Sequence, residues 1–223
     1  MTKLPRADAA RDETATLVKA FLACATSAFA PLVAEAAARW SLVVEQSTGH
    51  GLVPVAPEQI THIFVATATF SNARVAGEVT FGDREYFLNT VLGPAGSPHR
   101  FGLWEWADAL GRPEIVPRNT DFVLTVSRLE LIVEDMAQAV AALEREIAQA
   151  SAPVIARIEE ARADVQAAFQ SRLRADDHQR ASVAAADAFR QRDYRRVVAL
   201  LEPYLAVLTG AERKKLIYAK ERL

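Results

Sequence analysis

The spacing of apolar residues changes period twice along this chain, and that change constrains the fold more than any other feature. Val18, Phe21, Leu22, Ala25, Phe29, Leu32, Val33 and Ala36 recur at steps of three and four, the repeat of a helix with one apolar face. From residue 41 to residue 88 the pattern becomes short runs of β-branched and aromatic residues separated by turn formers. The helical step then returns, with Leu129, Ile132, Val133, Met136, Val140, Leu143 and Ile147 on one stripe. That order predicts an α+β fold: an N-terminal helix, a small antiparallel sheet of three to four strands, and a mainly α-helical C-terminal half.

The strands fall at 41–46, 60–70, 74–81 and 84–88, with a loop at 47–51 and Gly82-Asp83 as a two-residue hairpin turn. Pro31 lies inside the first helical pattern and predicts a break near Ala30, because proline has no N–H to donate. Residues 93–121 are rich in proline and glycine, with one helical turn at 103–110 and Asn119 or Asp121 as cap for the helix that follows. Pro153 marks a joint, after which Val154, Ile158, Val165, Phe169 and Leu173 continue an apolar face with coiled-coil-like spacing. Three shorter helices follow near 177–192, 193–208 and 211–222, with Thr209-Gly210 separating the last two. The domain division expected from this reading is an α+β domain at 1–115 and a helical region at 116–223.

Composition excludes several classes. Hydrophobic residues at 51% and charged residues at 24% describe a chain able to bury a core rather than a disordered one. A net charge of −2 gives no bulk field toward nucleic acid or membrane, although residues 171–223 hold twelve Lys/Arg against seven Asp/Glu. The polar start MTKLPRADAARDET has no apolar h-region, and no unbroken apolar run approaches membrane-spanning length, so a cytoplasmic protein without a membrane partner is expected. Cys24 stands alone, which rules out an internal disulfide; among Ala and Phe on a helix its thiol should be raised in pKa and inert.

Chemistry-bearing motifs are absent. His50, His62, His99 and His178 are not at metal-ligand spacing, and no phosphate-binding glycine loop or nucleophile elbow occurs, so no metal and no cofactor is expected. The pairs Glu159-Glu160 and Asp176-Asp177 point about 100° apart on a helix and read as surface charge. His62 alternates with Ile60 and Phe64 in a strand, where a structural histidine is expected; an enzyme reading would join it to Glu78 or Glu85 as acid and base. Trp104 and Trp106 in GLWEWADAL, just after Phe101, either seal the sheet–helix core or anchor a partner.

Residues 181–209 carry a further pattern. Small residues (Ala184, Ala185, Ala186, Ala188) precede a turn at Arg192-Asp193; Tyr194 then opens a segment continued by Val197, Leu201 and Tyr204. This resembles a tetratricopeptide-type helical hairpin over about thirty residues, departing from it at Val197 and Tyr204, where small residues are usual, and in having no proline after the second helix, Pro203 instead falling inside that helix or ending it early. The resemblance implies hairpin geometry and hints at protein binding, through one unit only.

The functional expectation is therefore a non-catalytic protein–protein interaction protein, of the kind found among bacterial adaptor or toxin-immunity proteins, with another protein or a second copy as partner. Trp104, Trp106, Arg192, Arg195 and Arg196 are its binding residues. An enzyme built on the sheet around His62 ranks second. Nucleic-acid binding through the basic C-terminal helices ranks third.

Overall fold

In the computed structural model, which describes residues 6–34, 38–48, 51–60, 63–82, 86–117, 120 and 123–223, the first apolar stripe becomes α1 (Arg6–Phe29). The helix stops where Pro31 required it to, and a 3-10 turn at Ala30–Val33 follows. Leu17, Val18, Phe21, Ala25 and Phe29 are buried along one side. Within Asp12–Val33 an 18-residue window reaches a mean hydropathy of 1.6, so the segment is long and apolar enough to cross a membrane by length and composition, which the unbroken-run reading missed. Here that apolarity is used to cover a sheet.

The sheet has six antiparallel strands in the order β2-β1-β3-β4-β5-β6: β1 (Arg39–Thr48), β2 (Gly51–Pro54), β3 (Phe64–Ser71), β4 (Val75–Gly82), β5 (Phe87–Pro94) and β6 (Phe101–Gly102). Three to four were expected. The extra two, β2 and β6, are the edges; at four and two residues they are too short to show alternation and are set by pairing with their neighbours. Gly82 pairs with Phe87, where β5 begins; Asp83 of the expected hairpin turn and the first residues of the strand expected at 84–88 lie outside the described residues.

Period-two alternation buries Phe64, Ala66, Ala68 and Phe70 of β3 while Val65, Thr67, Thr69 and Ser71 face the other way, half-buried. Val75, Val79, Phe81, Leu88 and Leu92 extend the buried face. Against it lie α1 and α3 (Val126–Ala148), in contact with each other. Phe21 meets Phe81 with ring centroids 5.7 Å apart, and Phe29 meets Phe70 at 5.1 Å. Each such side chain contributes about 1.5–3 kcal/mol by leaving water. The cap of α3 is Thr125, whose Oγ1 accepts from Arg128 N; Asn119 and Asp121, expected in that role, lie outside the described residues.

One polar knot ties the layers together. Asn72 Nδ2 donates to Leu32 O and Glu144 Oε1, while its Oδ1 accepts from Arg74 N (2.8 Å) and Val75 N (2.9 Å). The β3–β4 turn is thereby joined to the end of α1's 3-10 extension and to α3, and every polar group of this buried side chain is satisfied.

The chain divides into two compact units, Met1–Ile158 and Glu159–Leu223. The division expected at 115/116 falls inside the first, because α3 belongs to the sheet's helical layer. Helix α4 (Ala152–Arg190) starts with Pro153 in its first turn and is 39 residues long, so the separate helix expected near 177–192 is its final stretch. In the second unit, Ala185 and Ala188 of α4, Val197 and Leu201 of α5 (Tyr194–Leu201), Leu208, and Leu216 and Ala219 of α6 (Gly210–Lys220) form one buried cluster. Pro203 ends α5 early, in a 3-10 turn at Glu202–Tyr204.

Candidate functional site

On the sheet, register places Ser41, Thr69, Glu78 and Val91 in one row on the face opposite α1 and α3. They help to line a hollow of about 810 Å³, together with Arg39, Trp40, Ser71 and Arg100. The Ser41 and Thr69 hydroxyls bond each other. Arg100 Nη1 is held by the carbonyls of Pro94, Ser97 and His99. Glu78 is exposed, and the hollow contains no histidine or cysteine among the described residues. His62 and Glu85, the other members of the sheet-centred enzyme reading, lie outside the described residues, as does His50.

Cys24 is half-buried on α1, and its thiol donates to Phe21 O at 3.4 Å. Burial pushes it up to about 11, with the nearby Glu130 carboxylate adding to the rise. It is a thiol rather than a thiolate at neutral pH, as its apolar surroundings led one to expect. No group of three or more His, Cys, Asp or Glu suited to a metal occurs among the described residues.

The two tryptophans part company. They stand in α2 (Leu103–Ala109), two positions apart and so about 200° apart around the axis. Trp106 is fully buried, its indole N–H donating to Leu92 O at 2.8 Å and its ring edge-on to Phe101 at 5.3 Å. Trp104 is 59% exposed and leans over Gly102, where a Cβ would lie 2.9 Å from its Nε1. Of the pair, only Trp104 offers its ring to a partner.

Arg192, Arg195 and Arg196 are all exposed, at the turn into α5. Arg192 also has a backbone role. With φ +60 it sits just past the end of α4, where Arg192 N donates to Phe189 O and Asp193 N to Ala188 O, the paired bonds that close a helix through a left-handed residue. Asp193 then caps α5, accepting from Arg196 N at 3.1 Å. The basic surface is interleaved with acid: Asp187 bonds Arg190, and Glu202 bonds Lys220 at 2.6 Å.

A second polar cluster lies at the start of α6. Glu212 accepts from the backbone and hydroxyl of Thr209, each at 2.7 Å. A hydrogen bond with Ser182, then those of Thr209 and the proximity of His178, hold its carboxyl at about 2 against the opposing effect of burial. His178 Nε2 lies 3.4 Å from Glu212 Oε1 without hydrogen-bond alignment, and its ring packs on Tyr204 at 5.2 Å. These contacts fasten α6 to α4 and have the character of a structural clasp.

One exposed stretch was legible as a pattern but not as a site. Every residue from 161 to 177 of α4 is exposed, on all sides of the helix. Val165 (65%), Phe169 (53%) and Leu173 (40%) recur there at steps of four, on one stripe. In α3 a stripe at steps of three and four marks a buried face; the shorter α4 stripe is covered by no element of the second unit among the described residues, which periodicity alone could not reveal.

No family model matches the chain, and neither a curated protein nor a solved structure is significantly similar to it.

Proposed function

We propose that the protein acts by contact with a protein partner rather than by catalysis, and that the middle of α4 is its principal contact surface. The observation that carries this reading is the stretch 161–177, solvent-exposed around its whole circumference yet bearing Val165, Phe169 and Leu173 in line. A helix polar all round would be at ease in water; an apolar stripe on such a helix gains free energy when covered. Of the sheet-centred enzyme reading only Glu78 lies among the described residues, and it is exposed.

Trp104 in the first unit and Arg192, Arg195 and Arg196 in the second are exposed and are each, by themselves, further candidates for contact with a protein. The hairpin-like end of α4 with α5, closed by α6, serves in this reading as the support that holds the helix end rigid. Cross-linking of the tagged chain in native extract tests it, wild type against Phe169→Asp. A cross-linked protein species at residues 161–177 that vanishes in the variant is the expected result; identical cross-links in both would contradict it.

A further inference from the structure

Resting on that reading, we infer that the partner covering the middle of α4 is a second copy of this chain, docked antiparallel about Phe169. At about 100° per residue, Arg162, Val165, Leu173 and Asp176 all point within about 40° of Phe169. Val165 and Leu173 are each four residues from Phe169, and Arg162 and Asp176 are each seven. The face therefore reads cation, apolar, apolar, apolar, anion, symmetrically placed about its central aromatic.

Such a face is complementary to itself in one orientation. Two copies related by a two-fold axis through Phe169 set Phe169 on Phe169, Val165 on Leu173, and Arg162 against Asp176 at both ends. A parallel, in-register pair would place Arg162 on Arg162 and Asp176 on Asp176, two like-charge contacts. An isologous two-fold pairing also closes on itself, so it yields a dimer and not a filament. Arg162 engages a neighbour in its own chain as well, so the intermolecular ion pair orients the helices and the apolar stripe supplies the affinity.

Sedimentation velocity on the full-length chain across the micromolar range tests this, with circular dichroism confirming that each variant keeps its helix. Wild type is expected to dimerise and Phe169→Asp to be monomeric. Arg162→Asp and Asp176→Arg, each alone, are expected to weaken dimerisation about tenfold, by replacing attraction with repulsion at both ends. The double variant carrying both changes is expected to recover most of the loss, since only the antiparallel pairing turns the exchanged charges back into opposites. A monomeric wild type, a dimer indifferent to Phe169→Asp, or a double variant no better than the singles would overturn the inference. If the wild type is monomeric while Phe169→Asp still abolishes a cross-link to a different protein, the self-pairing fails and the contact-surface reading survives. If neither assay responds to Phe169→Asp, both fall.

Discussion

Trp104 and Trp106 illustrate how far a residue pattern carries and where it ends. Both were expected to act alike, as binding residues; yet two tryptophans two positions apart on a helix face nearly opposite ways, and here one turns in and the other out. Which of them turns inward was decided by β5, whose Leu92 carbonyl accepts the Trp106 N–H, and that partner is fourteen residues distant. The energetic consequence is asymmetric. Trp106→Ala is expected to destabilise the first unit by about 3–5 kcal/mol, a cavity plus an orphaned carbonyl. Trp104→Ala should fall within about 0.5 kcal/mol of wild type, as exposed substitutions do. Urea denaturation of the two variants measures the contrast, and equal losses would place both rings in the core.

At the scale of elements, α6 owes its anchoring to a carboxylate with an unusual ionisation. Glu212 is held down from 4.5 to about 2 in the folded chain, chiefly by the Ser182 hydrogen bond. A group with a lowered folded-state value contributes stability that is fully present above its unfolded value and is lost as pH falls through the folded one. The second unit should therefore lose stability from about pH 4.5 down to about 2, and Glu212→Gln should be less stable at neutral pH and flatter across that window. Thermal unfolding followed at the helical signal, wild type against variant, checks the slope. Element boundaries were legible where a breaker stood, as at Pro31 and Pro203, and less so elsewhere. Nothing between Val154 and Arg190 is proline or glycine, so α4 had no reason to stop at 177. The edge strands β2 and β6 were not legible, since strands of four and two residues carry no period and take their identity from the strands beside them.

Across the whole molecule, the order of hydrophobic periods was enough to establish an α+β chain with a helical C-terminal half, but not its division into units. α3 looks like a C-terminal helix in sequence and belongs to the first unit, because its stripe matches the free face of the sheet beside α1. The shorter stripe of α4, at steps of four, finds no such match within its own unit, and the contact-surface reading stands on that difference. Amide hydrogen exchange of the full-length chain, compared between dilute and concentrated solution, tests most directly whether a second copy covers that stripe. The expected result is slowed exchange at high concentration within 161–177, absent in Phe169→Asp. Exchange in that stretch that is unchanged by concentration, with slowing confined to another surface, would contradict it.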